Sequence, residues 1–234
     1  MIQRTVVGDG VPVQYSGELS AAKAIVVVQE AFGVNDHIRD VTERFAAAGY
    51  FAVAPELFHR DGSIEVAYDN FKSAMGALGN LSREGIEFDM RATIAYLNER
   101  GFERENIGVV GYCMGGTVAL FVDTLDLVGA AVTFYGGGVA AGRFGFPSLV
   151  ELAPTLKAPW LGLYGDLDQG IPVEQVEQLR SAAATSNVAT EIVRYADAEH
   201  GFHCDAREGS FNEQASKDAA ARAYAFFDAH LRAR

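Results

Sequence analysis

Cysteine, basic charge and long apolar runs are what this 234-residue chain has least of, and each shortage excludes something. Two cysteines, Cys113 and Cys204, are too few for a disulfide framework or a cysteine-rich zinc module, and a reducing cytoplasm is the expected compartment. Lys and Arg number 19 against 31 Asp and Glu, a net charge of −12. Such a surface repels phosphate backbones and anionic lipid, so neither nucleic acid nor a membrane is expected as partner. No apolar run reaches the ~18 residues of a membrane span. The amino-terminal MIQRTVVGDG has no signal-peptide core. Repeats, low-complexity tracts and composition breaks are also missing, so residues 1–234 are read as one domain, long enough for a substantial core.

What is present alternates. Val11–Tyr15 reads as an edge strand. Ala24–Val28 (AIVVV) is a continuous apolar run, as expected of a strand buried on both faces of a parallel sheet. Asn35 is placed to cap a helix whose apolar positions Ile38, Val41, Phe45 and Ala48 keep 3–4 spacing, with Gly49 as its stop. Strands follow at Tyr50–Ala54, Ile107–Val110, Val128–Tyr135, Trp160–Tyr164 and Glu191–Tyr195. Between them lie helices marked by Ile86, Met90, Ile94 and Leu97, by the residues after Cys113, and by Pro172 to Ala184; a last helix covers Gln214 to Leu231. The expected fold is α/β, a mostly parallel central sheet with helices on both faces and reactive groups beyond the strands' carboxyl ends. Residues 56–83 read either as an excursion over the site or as a loosely packed helix pair. Gly136-Gly137-Gly138 has no phosphate-loop context and reads as a flexible turn at a pocket rim.

Chemistry concentrates at Gly111-Tyr112-Cys113-Met114-Gly115. G-x-C-x-G between a strand and a helix is the pattern of a nucleophile elbow, with cysteine where serine is usual. That motif requires an acid and then a histidine later in the chain, each after a strand. Asp166 and Asp168 follow the strand at 160–164; Asp168, nearer the next helix, is preferred as the acid and Asp166 as a loop cap. Asp197 reads as a local turn former. His200 and His203 follow the strand at 191–195; His200, beside Gly201, is preferred as the base, with His203 lining the pocket or exposed. His37, His59 and His230 read as surface residues. The backbone N–H groups of Ala31 and Met114 are the candidate oxyanion hole. No metal or cofactor is expected.

Five segments together resemble the dienelactone hydrolases (carboxymethylenebutenolidases) of the α/β-hydrolase fold: QEAFGVN at 29–35, GYCMGG at 111–116, FYGGG at 134–138, GDLDQGIP at 165–172 and AEHGF at 198–202. The resemblance implies Cys113 as nucleophile, Asp168 as acid and His200 as base. It also implies that Glu30, which otherwise reads as a polar residue ending a buried strand, reaches the thiol and helps switch it to thiolate. Phe32, Tyr68, Tyr135, Phe202, Arg60 and Arg83 are the candidate substrate-contacting residues. The chain departs from the family where substrate carboxylate is held: Cys204 stands four residues after His200, and Ile64 stands where aligning Tyr68 would place the second arginine. Arg60, Arg83 or Arg207 could replace these only in space. The expected partner is a small ester or lactone. The expected state is a monomer, with a dimer as the alternative. A general carboxylesterase or thioesterase using the same triad, and a ligand-binding relic of the fold, are the competing readings.

Overall fold

In a computed structural model describing residues 1–234, the apolar runs become an eight-stranded sheet in the order β1-β2-β4-β3-β5-β6-β7-β8. The strands are β1 (Gln3–Val7), β2 (Val11–Ser16), β3 (Ala24–Val28), β4 (Phe51–Pro55), β5 (Ile107–Tyr112), β6 (Ala130–Phe134), β7 (Trp160–Gly165) and β8 (Thr190–Tyr195). β1 and β2 pair antiparallel with each other, and β2 antiparallel with β4; every other pairing is parallel. β3 and β5 lie side by side in the middle, from Ala24 opposite Ile107 to Val28 opposite Gly111. The chain beyond Val28 and the chain beyond Tyr112 therefore leave the sheet as neighbours.

The strands are apolar throughout because they feed two cores. Ala24, Val26 and Val28 point into one, while Ile25 and Val27 point into the other. The first core is covered by α3 (Arg83–Asn98), α4 (Met114–Thr124), α5 (Leu149–Leu152) and α6 (Val173–Ala183). The second is covered by α1 (Asp36–Ala47) and α7 (Glu213–His230). The Asn35 side chain caps α1 by accepting the Ile38 N–H at 3.2 Å, and Ile38, Val41 and Phe45 are buried beneath it. Fully burying such a side chain contributes roughly 1.5–3 kcal/mol. α7 presents Ala215, Ala219, Ala223 and Phe227 to the sheet; the small residues let the helix approach closely, and Phe227 fills the space over Gly108. No helix is long and apolar enough to cross a membrane.

The segment 56–83 contains a 3-10 turn at His59–Asp61 and α2 (Phe71–Gly79), followed directly by α3. The segment holds one α-helix and a 3-10 turn rather than a helix pair; Ala74, Ala77 and Leu78 of α2 face inward while Phe71 and Met75 are exposed. The three glycines at 136–138 do not form a flexible rim. A Cβ on Gly136 would come within 2.6 Å of Thr133 Cγ2 and 2.9 Å of Gly116 C, and the Thr117 hydroxyl donates to Gly137 O at 2.8 Å. This turn is packed beneath the start of α4.

Asp123, near the end of α4, is fully buried. Its Oδ1 accepts the N–H groups of Lys157 and Ala158 at 2.7 and 3.0 Å, while Oδ2 has no partner. Burial outweighs those two donors and pushes the carboxyl up to about 7. A carboxyl raised in the folded state keeps a proton there that the unfolded chain loses near pH 3.9, so its contribution to stability falls as pH rises from about 4 to about 7, then levels. Asp123→Asn keeps the Oδ1 acceptor and cannot ionise. Its melting temperature relative to the native protein should climb across that window. A pH-independent difference between the two melting curves would contradict the assignment.

Candidate active site

Cys113 sits between β5 and α4 with φ 54° and ψ −116°, a left-handed conformation that few non-glycine residues adopt. The flanking glycines explain how the chain tolerates it. A Cβ on Gly111 would collide with the Gly115 carbonyl, and one on Gly115 with the Val28 carbonyl of β3. The G-x-C-x-G spacing is thus the space that α4 needs to start directly above two parallel strands. The Cys113 N–H donates to Phe134 O at 3.0 Å, which pins the turn to β6. Cys113 itself stays partly exposed, and both cysteines are free thiols.

Asp168 and His200 come from the loops after β7 and β8 and meet at 2.6 Å, Asp168 Oδ2 to His200 Nδ1. Asp168 is buried, and its Oδ1 accepts the N–H groups of Gly170 and Ile171 at 2.8 and 3.1 Å. One oxygen therefore anchors the carboxylate to its own loop while the other holds the imidazole. Burial disfavours a charged His200. The neighbouring Cys113 sulfur and the Asp168 carboxylate together overcome it and hold the ring above its ordinary value. With Nδ1–H given to Asp168, Nε2 is the nitrogen left for the Cys113 sulfur.

The N–H groups of Ala31 and Met114 follow the adjacent strands β3 and β5, and neither donates to a backbone carbonyl. They are available to a developing oxyanion beside Cys113. Glu30 is wholly buried; its Oε1 accepts the Tyr135 hydroxyl at 3.3 Å, and Oε2 has no partner. The hydrogen bond of Glu30 thus runs to Tyr135. Tyr135 in turn packs edge-on against the His200 ring at 5.1 Å.

The other candidates divide. Phe32, which follows Ala31, packs edge-to-face with Tyr68 at 4.6 Å, and Arg207 lies over both rings at 5.7 and 5.9 Å. Arg207 also lies against Gly201, next to His200. Arg60 is not free to meet a substrate: Asp89 holds its guanidinium through two bonds of 2.7 and 2.9 Å. Arg83 lies over Phe121, well along α4, rather than at Cys113. Phe202 is fully buried among Phe134, Tyr135 and Tyr195, so it anchors the His200 loop instead of lining the pocket, and Tyr135 is equally buried. Two histidine expectations also need correction. His37 is buried, not on the surface. His203 is stacked on Tyr112 at 5.4 Å and bonded to Ser216, and burial beside His37 and Arg44 lowers it to about 3. Asp166 forms a two-bond pair with Arg194, a loop-fixing role.

Cys113 is the accessible sulfur, whereas Cys204 is buried and its thiol is pushed up to about 11 by that burial and by Glu30. Alkylation needs an exposed thiolate. Iodoacetamide should therefore label Cys113 well before Cys204, read by peptide mapping. Preferential labelling of Cys204 would count against the site.

The sheet order, the strained turn after its central strand and the order of Cys113, Asp168 and His200 define an α/β-hydrolase. Residues 13–231 match the dienelactone hydrolase family, and the chain belongs to that family. It is 35% identical over 216 residues to a Salmonella typhimurium protein named "Putative carboxymethylenebutenolidase", covering 90% of this chain and 80% of that one. It is 31% identical over 202 residues to the carboxymethylenebutenolidase of Pseudomonas sp. strain P51, covering 85% and 81%. Among solved structures, the crystal structure titled "Putative Dienelactone Hydrolase" from Klebsiella pneumoniae superposes with a TM-score of 0.85 at 29% identity, over 97% of this chain and 98% of that one. The chain is thus an ester hydrolase by family.

Proposed function

We propose that the protein hydrolyses small carboxylic esters or lactones through an acyl-cysteine on Cys113, with His200 as base and Asp168 as its orienting acid. The single observation that carries this reading is the 2.6 Å bond that fixes His200 through Asp168, with Cys113 held on a strained turn beside the imidazole. His200 takes the thiol proton and the sulfur attacks the ester carbonyl. The oxyanion is received by the N–H groups of Ala31 and Met114. The alcohol then leaves with the proton from His200. Water, deprotonated by the same imidazole, attacks the thioester, and the acid product leaves with the thiol restored. In the role the resemblance implies, Glu30 must leave its bond to the Tyr135 hydroxyl before its carboxylate reaches the Cys113 thiol.

Arg207 favours a substrate class. Its guanidinium faces Phe32 and Tyr68 rather than a carboxylate side chain and lies against Gly201, next to His200, so it is free to pair with a substrate carboxylate. The test is a panel of p-nitrophenyl acetate, a thioester, a neutral lactone and a carboxylate-bearing lactone, with mass spectrometry of acid-quenched enzyme. An acyl group on the Cys113 peptide is expected. Arg207→Ala should raise KM for the carboxylate-bearing lactone by about tenfold or more, the size of one charge-assisted contact, and leave neutral substrates nearly unchanged. No acylation by any ester would exclude the mechanism. Equal effects of Arg207→Ala on all substrates would exclude the carboxylate preference and leave the general esterase or thioesterase reading.

A further inference from the structure

Behind the catalytic groups, three side chains from separate parts of the chain converge without the bonds that buried polar groups require. Glu30 follows β3, His37 lies in the first turn of α1, and Cys204 follows the His200 loop. One carboxylate oxygen, one imidazole nitrogen and Sγ all lie within 4.8 Å of one another. All three residues are buried, Glu30 and Cys204 to 0% exposure and His37 to 3%. Glu30 Oε2 and both ring nitrogens of His37 have no hydrogen-bond partner. An unpaired buried polar atom costs roughly 1–3 kcal/mol, and three in one cluster are unusual in a native interior. The catalytic proposal uses neither His37 nor Cys204.

We propose that Glu30, His37 and Cys204 form a binding site for a divalent transition metal of the zinc type. The donor set argues for that class. A thiolate with an imidazole and a carboxylate suits zinc or cobalt, while calcium and magnesium prefer oxygen ligands alone. Ligands at about 2.0–2.3 Å from a tetrahedral ion stand about 3.3–3.8 Å apart, so the set closes with side-chain movements of about an ångström. Charge also closes: thiolate and carboxylate contribute two negative charges, the imidazole none, and a divalent cation makes the buried site neutral. Cys204 now gives its thiol hydrogen to the Tyr68 hydroxyl at 3.2 Å. On binding, that bond breaks, the thiol proton leaves to solvent and Sγ bonds the metal, with no change of oxidation state. Coordination to a divalent ion favours the thiolate over the thiol, so binding and loss of the Cys204 proton go together. Asp205, whose Oδ1 is 3.6 Å from His37 Nδ1 and which Arg44 holds, is placed to orient the ring.

The test reads binding without turnover, so it stands or fails apart from the hydrolase mechanism. Purified full-length protein is titrated with Co²⁺ and followed by the sulfur-to-cobalt charge-transfer absorption, then back-titrated with Zn²⁺. Cys113→Ala should keep the band at one equivalent and lose it on zinc addition. Cys204→Ser, which retains Cys113, should lose the band. His37→Ala and Glu30→Gln should each weaken Co²⁺ binding by at least about tenfold. Circular dichroism checks that each variant is folded; should His37→Ala fail to fold, Glu30→Gln and Cys204→Ser decide. No thiolate band in Cys113→Ala, or a band that survives in Cys204→Ser and vanishes in Cys113→Ala, would overturn the proposal, the second outcome placing the metal on Cys113 and His200 instead.

Discussion

Cys113→Ala is expected to lower kcat for p-nitrophenyl acetate by on the order of 10⁴–10⁶-fold, while leaving the melting temperature within a few degrees of the native value. The size of the loss follows from the proposed chemistry: without sulfur there is no acyl-enzyme, and only the oxyanion N–H groups and substrate binding remain. The mild structural effect follows from the geometry. The turn is held by the Cys113 N–H bond to Phe134 O and by packing of the flanking glycines, not by the thiol. Alanine at φ 54° carries the same Cβ strain that cysteine already carries. Turnover within tenfold of native would mean that another group attacks the ester. Cys113→Ser is a useful companion, because a hydroxyl keeps the position and changes only the ionisation of the attacking atom.

The second large effect is expected at Asp168→Asn, about 10⁴-fold in kcat. Asn Oδ1 can still accept the Gly170 and Ile171 N–H groups, so the loop after β7 keeps its shape. Towards His200, however, an amide NH₂ replaces a carboxylate oxygen. It donates to Nδ1 and forces the ring's proton onto Nε2, the nitrogen that must accept from Cys113. The carboxylate that helps hold His200 above its ordinary value is lost as well. Iodoacetamide labelling of Cys113 should slow in parallel with turnover, because both draw on the same imidazole. Activity within tenfold of native would show that Asp168 does not orient the base.

The sheet and its helices were legible because their signals are local. AIVVV at 24–28 alternates between two cores, so every position must be apolar, and the 3–4 spacing from Ile38 to Phe45 is the buried face of α1. β1 carries no local signal because QRTVV is mostly exposed and owes its form to pairing with β2 alone. α2 reads only as part of a loosely packed helix pair because its large apolar residues Phe71 and Met75 are exposed and its buried face is Ala74, Ala77 and Leu78. The arginines were beyond reach for a different reason. Whether Arg60, Arg83 or Arg207 faces the pocket depends on what competes for each guanidinium, and Asp89, twenty-nine residues from Arg60, takes that one.

The sequence by itself determined the alternation of strands and helices and the elbow glycines. It also determined the order in which Cys113, Asp168 and His200 follow their strands, because periodicity and steric demands are written into neighbouring residues. Only the tertiary structure decided which groups meet. It bonded Asp168 to His200 at 2.6 Å and turned Glu30 towards Tyr135. It buried His37 and His203 and brought Glu30, His37 and Cys204 within one coordination sphere's reach. Contacts across a sheet depend on strand order and on the burial of every competing partner, and neither is a property of any short stretch of chain.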